Sequence, residues 1–305
     1  MTIGLIGLGE VGIPIGRHLL NAGYSLVVHD LRRETGPKLE ILGAQWAASP
    51  REVVVGEVES VLTALPSPAA VTAVVEGADG LLAGLHAGQT WIDISTNDRR
   101  ELMRLAALCK AKGVHVLERA VTGGIPLLHR GEMTVLVGGE KDVLDQQRPI
   151  LELFGGDIIH LGPVGRASIA KVVTNMMAAI HLWALGEGLM LGKCAGLEVG
   201  PLFEAVLASC AKSFVAETEG REILNGSYDY GFTVELASKD AHLAYELGRE
   251  FDVPLEMGGL IEQLFHRAMA KYGPDTWSTQ VVKLLDDDLG TDLRASGYEM
   301  PPIQR

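Results

Sequence analysis

The sequence predicts an α/β protein in which a doubly wound, mainly parallel domain is followed by an all-helical domain. Up to about residue 162, short apolar runs suited to buried strands alternate with helical patterns, an order typical of parallel sheets. Beyond Gly165 the alternation stops, and long helical patterns follow. A chain of 305 residues can form two cores. We therefore predict one domain over residues 1–163 and a second over residues 164–305.

The first βαβ unit is predicted from its apolar runs and from the glycine that ends its helix. An apolar run over residues 2–7 precedes a helical pattern over 11–22, Gly23 ends that helix, and a second strand covers 25–30. Ser49 and Glu52 have the spacing of a helix capping box, and residues 96–98 suit a helix N-cap. The later strands are predicted at 60–65, 90–95, 114–121 and 133–137, and the later helices at 168–193, 199–211, 238–251 and 255–272.

One segment, residues 167–186, is almost wholly apolar, and about 20 apolar residues could span a bilayer. Lys171, Asn175 and His181 lie inside it, and no second span follows. Because polar groups are costly in lipid, we expect a helix buried between the two domains and no membrane partner.

Charge and cysteine content exclude several classes of function. The net charge of −13 disfavours nucleic acid, because an acidic chain repels phosphate backbones. The N-terminus lacks the features of a signal peptide. Cys109, Cys194 and Cys210 are odd in number and lack zinc spacing, so we expect a cytoplasmic protein with no metal site.

A glycine-rich turn joins the first predicted strand to the first helix. Its residues Gly7-Leu8-Gly9-Glu10-Val11-Gly12 match G-x-G-x-x-G, and the strand and helix on either side give that weak motif its meaning. Gly7 permits a tight turn, Gly9 lets the backbone approach a pyrophosphate, and Gly12 allows close helix–strand packing. Backbone amides at the helix start, near Glu10 and Val11, would bind the phosphates. This pattern predicts a nicotinamide dinucleotide site in a Rossmann-type domain.

Asp30 ends the second predicted strand, where a carboxylate can bind the adenosine ribose hydroxyls and would repel a 2′-phosphate. This favours NAD over NADP. Arg32 and Arg33 favour NADP, because a nearby arginine can hold that phosphate.

Two loops follow the carboxyl ends of later strands, where ligands bind in open α/β sheets. Leu65-Pro66 and Ser95-Thr96 could each contact the nicotinamide ribose. Equally, the sole role of Pro66 could be to end a strand, and that of Thr96 to cap a helix.

Lys171 is the only formally charged residue between Arg166 and Glu187. Burial among apolar neighbours would lower the pKa of its amine towards a range useful for proton transfer. Asn175 lies one helical turn further on the same face and could hold the amine or the substrate. A lone lysine is otherwise usually a solvated surface residue.

Thr122-Gly123-Gly124 follows the strand that ends at Val121. Consecutive amides in such a turn could bind a substrate carboxylate, although a plain glycine loop explains the pattern equally well.

The order of these motifs resembles the β-hydroxyacid dehydrogenase family, of the 3-hydroxyisobutyrate dehydrogenase type, over nearly the whole chain. The resemblance includes the glycine turn, Val121 to Gly124, the hairpin-like segment 131–139, the segment from Gly162 to Asn175, and Lys239-Asp240. It implies a hydride transfer between NAD or NADP and a small β-hydroxyacid, its semialdehyde or its keto form. It also implies a homodimer or homotetramer.

The resemblance also implies residue roles. Lys171 would be the general acid and base, and Asn175 would orient it or the substrate. Thr122, Gly123 and Gly124 would hold the substrate carboxylate. Thr96 and Lys239 would contact the cofactor, and Leu65 and Pro66 would line its nicotinamide side.

The substrate loop departs from the family pattern, with Ala120 for the usual proline, Thr122 for the usual serine, and an unusual Arg119. The substrate therefore stays open. Two other functions compete: an imine reductase of the same architecture, which usually lacks the lysine, and a non-enzymatic dinucleotide-binding scaffold.

Overall fold

The computed structural model describes residues 1–299, apart from the side chain of Pro126. These residues form an α/β domain followed by helices, as predicted. The described strands are β1 (Thr2–Ile6), β2 (Ser25–His29), β3 (Gln45–Trp46), β4 (Val58–Thr63), β5 (Thr90–Asp93), β6 (His115–Thr122), β7 (Met133–Gly139) and β8 (Gly155–His160).

The helices begin with α1, which follows β1 directly, and end with α14 near the C-terminus. They are α1 (Gly12–Asn21), α2 (Pro37–Glu40), α3 (Pro50–Val53), α4 (Pro68–Glu76), α5 (Leu81–Gly84), α6 (Arg99–Ala111), α7 (Ile125–Arg130), α8 (Lys141–Leu151), α9 (Arg166–Cys194), α10 (Val199–Leu207), α11 (Phe214–Leu224), α12 (Val234–Glu250), α13 (Glu256–Tyr272) and α14 (Lys283–Leu289).

The strands form a single sheet in the order β3-β2-β1-β4-β5-β6-β7-β8. All pairings are parallel except that of β6 with β7, which is antiparallel. The strand order reverses between β1 and β4, which is the place where ligands bind in doubly wound folds. Every strand predicted from the sequence is present; β3 and β8 were not predicted.

The predicted ends of the helices are confirmed where a local signal set them. Ser49 accepts a hydrogen bond from the Glu52 amide at the start of α3, and Asp98 caps α6 in the same way. Gly23 follows α1 with φ +86°, a conformation that glycine adopts without strain.

The chain divides into two compact units, the first ending at Lys171 and the second beginning at Val172. The division falls inside α9, whereas the predicted domain boundary between residues 163 and 164 precedes that helix. That boundary stays a prediction. The last six positions of the predicted second domain, 300–305, lie outside the described residues.

Helix α9 contains the apolar segment and is, by length and composition, able to cross a membrane, yet only 28% of its most apolar window is buried. One side packs into the core of the second unit through Leu182, Leu185 and Leu189. The other side exposes Met177 and Leu191. The expectation of a buried helix is therefore right for one side only.

Strand β6 carries a cation into the core of the first unit. Arg119 is fully buried, and its guanidinium lies 3.9 Å from the centroid of the Phe154 ring. Within residues 1–299, its three side-chain nitrogens find no hydrogen-bond partner. Burial lowers the pKa of Arg119 well below its usual value. A charge buried in this way costs several kcal/mol, which the ring contact offsets only in part.

We predict that Arg119→Met raises the free energy of unfolding by about 1–4 kcal/mol, because it removes an uncompensated charge while keeping an apolar stem. Urea denaturation followed by circular dichroism measures this. The control is Arg130→Met at an exposed pair with Glu132, which should change stability by less than about 0.5 kcal/mol. A lower unfolding midpoint for Arg119→Met would mean that the Phe154 contact outweighs desolvation.

Candidate active site

Two of the three glycines in the turn after β1 pack too closely against backbone for a side chain to fit. Gly7 has φ +94°, and a Cβ at this position would overlap the carbonyl group of Ala64. A Cβ at Gly12 would overlap the carbonyl oxygen of Gly7. At Gly9, by contrast, a Cβ would meet open space. Gly7 and Gly12 therefore fix the turn, while Gly9 leaves its backbone open to a ligand.

The N-terminus of α1 lies at this turn. Glu10 is exposed, Val11 is half-buried at the N-cap position, and α1 begins at Gly12. The backbone amides of a helix start attract phosphate groups. The open side of Gly9 and these amides together fit the pyrophosphate of a dinucleotide.

Asp30 follows β2 and faces the same turn. Its carboxylate accepts hydrogen bonds from the Leu8 amide at 2.7 Å and from the Arg32 amide at 2.8 Å. A carboxylate offers about four acceptor positions, so two remain for ribose hydroxyls. Asp30 therefore also holds the glycine turn itself, a contact that the sequence did not predict.

The two arginines after Asp30 differ in how they are held. Arg33 forms a bidentate pair with Glu40 and lies 4.4 Å from the centroid of the Trp46 ring. Arg32 is largely exposed, with its Nε 3.7 Å from the Asp30 carboxylate. Of the two, Arg32 is therefore the better placed to meet a phosphate on the ribose.

A buried network supports the loops after β4 and β5. The Asp93 carboxylate accepts hydrogen bonds from the Thr63 hydroxyl at 2.8 Å and from the Asn97 amide at 3.1 Å. Ser95 in turn accepts a bond from the Leu65 amide at 3.0 Å. Burial raises the pKa of Asp93, while the hydrogen bonds that it accepts oppose the shift. The network thus ties together the loops that carry Leu65, Pro66 and Thr96.

Lys171 lies in the second turn of α9 and is half-buried. Its Nζ donates a hydrogen bond to the carbonyl oxygen of Val121 at 2.8 Å. Thr122 is the next residue and ends β6, and Gly123 and Gly124 follow with φ +119° and +86°. The amine is therefore anchored where the chain turns into the predicted substrate loop.

In the second unit, Asn175 and Lys239 meet at one carboxylate. The Asn175 amide nitrogen lies 2.5 Å from Oδ2 of Asp240, and the Lys239 amine lies 2.9 Å from Oδ1. Asp240 is buried.

The structure therefore gathers the predicted residues into groups. In the first unit, the glycine turn, Asp30 and the Leu65 and Thr96 loops lie at the carboxyl ends of neighbouring strands, and Lys171 lies beside Thr122. In the second unit, Asn175 and Lys239 share Asp240. Asp93 and Asp240 were not predicted from the sequence as organising groups. A signal existed for Asp93, because it is an acid inside the apolar run from Trp91 to Ile94.

Comparison with known proteins identifies both halves of the chain. Residues 2–162 match the family model for the NAD-binding domain of 6-phosphogluconate dehydrogenase. Residues 165–285 match the model for the NAD-binding domain of NADP-dependent 3-hydroxyisobutyrate dehydrogenase.

Full-length relatives agree with the family models. The chain is 30% identical to 2-(hydroxymethyl)glutarate dehydrogenase of Eubacterium barkeri, covering 96% of this chain and 97% of the relative. It is 32% identical to NAD-dependent L-serine dehydrogenase of Pseudomonas aeruginosa, covering 93% and 97%.

Solved structures agree as well. The structure of Mycobacterium tuberculosis 3-hydroxyisobutyrate dehydrogenase with L-serine superposes with a TM-score of 0.85 at 26% identity, covering 93% of this chain and 98% of the other. An imine reductase of Streptomyces aurantiacus gives a TM-score of 0.61 at 20% identity, covering 93% and 99%, which is a likeness in fold alone.

These matches span the glycine turn, the predicted substrate loop and the helix that carries Lys171. The chain belongs to the β-hydroxyacid dehydrogenase family of the 3-hydroxyisobutyrate dehydrogenase type, and it is an oxidoreductase that uses NAD or NADP and acts on a CH–OH group.

Proposed function

We propose that this enzyme interconverts a small 3-hydroxy acid and its semialdehyde, with Lys171 as the group that takes and returns the hydroxyl proton. The observation that carries the proposal is the hydrogen bond from Lys171 Nζ to the carbonyl oxygen of Val121. This contact holds an amine beside Thr122, Gly123 and Gly124, the loop that we propose binds the substrate carboxylate.

The names of the relatives narrow the substrate class. L-serine, 2-(hydroxymethyl)glutarate and 3-hydroxyisobutyrate all carry a primary alcohol on the carbon next to the one that bears the carboxylate. We propose that this enzyme takes a substrate of the same class. The substituent on the central carbon stays open.

In the proposed oxidation the alcohol loses a hydride to the nicotinamide and a proton to Lys171, and reduction reverses both transfers. The nicotinamide ring supplies the hydride acceptor in oxidation and the donor in reduction. During oxidation the Lys171 amine takes the hydroxyl proton as the C=O bond forms, and in reduction it returns that proton. To do so it must be neutral when the alcohol binds. Asn175, held by Asp240, would orient the lysine or the substrate.

We propose NAD as the preferred cofactor. The glycine turn, including Glu10 and Val11, would bind the pyrophosphate. Asp30 would bind the adenosine ribose hydroxyls, and its charge would repel a 2′-phosphate. Leu65, Pro66 and Thr96 would lie against the nicotinamide ribose, and Lys239 would be a further cofactor contact.

The two competing functions differ in the chemistry that they require. Because the chain is an oxidoreductase acting on CH–OH, the alternative of a dinucleotide-binding scaffold without activity is wrong. Imine reduction is supported by fold alone, and an anchored lysine fits hydroxyl chemistry better. The homo-oligomer and the cytoplasmic location stay predictions; the exposed apolar side of α9 supports the first.

The substrate class is tested with a panel under NAD. We expect L-serine, 3-hydroxyisobutyrate or 2-(hydroxymethyl)glutarate to yield NADH. The matched controls are the methyl ester of the best substrate, which lacks the carboxylate charge, and lactate, which lacks the 3-hydroxyl. Equal turnover of the ester would remove the carboxylate site from the proposal, and reduction of a cyclic imine with no hydroxy acid turned over would favour the imine reductase.

Lys171→Met tests the proton transfer. We expect kcat to fall by about 10²–10⁴, the usual share of general acid–base catalysis, because methionine keeps the stem but cannot carry the proton. The dissociation constant for NAD and the melting temperature should stay close to those of the parent enzyme. Lys141→Met, which removes a surface lysine paired with Asp145, is the control and should keep full activity. Turnover within a few-fold of the parent would disprove the role of Lys171.

Asp30→Asn tests the cofactor preference. Asparagine keeps an acceptor for the Leu8 amide but loses the charge, so the affinity ratio of NAD to NADP should fall by about tenfold, which corresponds to about 1.4 kcal/mol. Fluorescence titration of both cofactors measures this. Arg33→Gln is the control, because Glu40 already occupies that arginine. An unchanged ratio in Asp30→Asn would contradict the ribose assignment.

A further inference from the structure

Strand β6 carries a buried carboxylate, Glu118, that the proposed chemistry does not use. Its Oε1 accepts a hydrogen bond from the Ala167 amide at 2.7 Å. Its Oε2 accepts from the Ser168 amide at 3.0 Å and from the Ser168 hydroxyl at 2.5 Å. The carboxylate is only 2% exposed. These three hydrogen bonds all come from the first turn of α9.

These bonds complete the start of the helix. The first amides of an α-helix have no partner within the helix and need one elsewhere. In α9 the Arg166 amide donates to the carbonyl oxygen of Pro163, and Glu118 accepts from the next two. A negative charge at this end also interacts favourably with the helix dipole. Glu118 is thus the anchor that joins α9 to β6.

The opposite strand is shaped around this carboxylate. Gly138 of β7 pairs directly with Glu118 across the sheet. A Cβ on residue 138 would overlap the Glu118 carboxylate. The absence of a side chain at Gly138 is therefore what lets Glu118 reach α9.

The same strand also receives the lysine. Lys171 follows Ser168 by about one helical turn, and its amine binds the carbonyl oxygen of Val121 in β6. The first turn of α9 and the amine of Lys171 are therefore both bound to β6. A shift of that first turn would move the amine away from Val121, because the lysine side chain is too short to span a much larger gap.

We propose that Glu118 is a positioning residue, which fixes the first turn of α9 so that the Lys171 amine stays on the carbonyl oxygen of Val121 beside the substrate loop. The inference rests on the proposed role of Lys171. Glu118 touches neither the substrate nor the cofactor in this proposal. It acts only through the place of the lysine.

The test is Glu118→Gln, which keeps the size but turns one acceptor oxygen into a donor facing a backbone amide. We expect kcat to fall by about tenfold to a hundredfold, the cost of a misplacement of about 1 Å, with the dissociation constant for NAD nearly unchanged. The second readout is independent of turnover. Competitive acetylation followed by mass spectrometry should show faster modification of the Lys171 amine than in the parent enzyme.

Ser213→Ala is the matched control. Ser213 caps α11 through the Ala216 amide, and losing such a cap costs about 1 kcal/mol. We expect Ser213→Ala to lose stability by that amount, with no change in kcat or in the acetylation of Lys171. Stability loss alone would then be excluded as the cause of the effect in Glu118→Gln.

Gly138→Ala gives a second route to the same test. Its methyl group should displace the Glu118 carboxylate, lower kcat and expose Lys171 to acetylation. Combined with Glu118→Ala, it should add little to the effect of Glu118→Ala alone, because the group that it displaces is gone. Should Glu118→Gln not fold, Ser168→Ala removes a single bond and should move acetylation in the same direction by a smaller amount.

The outcomes separate the two proposals. Folded Glu118→Gln with parent values of kcat and of Lys171 acetylation overturns the positioning role. If Lys171→Met stays active, the proposed proton transfer fails, yet acetylation still reports whether Glu118 holds the amine. Faster acetylation in Glu118→Gln but not in Ser213→Ala supports the inference in either case.

Discussion

The turn between β1 and α1 depends on a close approach of backbone to backbone. The carbonyl oxygen of Gly7 occupies the place that a side chain at residue 12 would need, and Gly7 itself packs on the carbonyl of Ala64, the residue that follows β4. This contact sets the position where α1 starts relative to β1 and β4. The helix amides, the open backbone at Gly9 and the Leu8 amide bound by Asp30 all follow from that position.

A second organising element is β6, which lies between β5 and the antiparallel β7. Its side chains alternate between the two faces of the sheet, as in any strand. Arg119 enters the core beside Phe154, while Glu118 reaches the start of α9. The backbone at the end of the strand binds the Lys171 amine and then leads into the glycine pair. One strand thus combines an unfavourable buried charge with favourable contacts to the helix that carries Lys171.

The sequence predicted those features that depend on neighbours along the chain. The glycine turn, Asp30 and the helix caps at Ser49 and Asp98 each have a local signal. The lysine stood out because it was a lone charge in an apolar segment.

Features that depend on distant partners were missed. Hydrophobic periodicity does not encode strand direction, so it could not predict the reversal at β7; only the resemblance of residues 131–139 to a hairpin pointed to it. Strand β8 contains two glycines and is largely exposed, which hides it from an analysis based on burial. The positions of Glu118 and Asp240 are visible in the sequence, but the donors that each meets are brought together only by the fold.

The end of the first unit inside α9 has a practical consequence for making fragments of this enzyme. A recombinant N-terminal piece cut at the end of the sheet, near residue 163, would lack Ala167 and would therefore uncover the Glu118 carboxylate together with Ala120 and Leu136, which pack against Ala167. It would also lose the amine that sits on Val121. A piece intended for crystallisation or for cofactor titration should therefore extend at least through Lys171, beyond the point where the alternation of strands and helices stops.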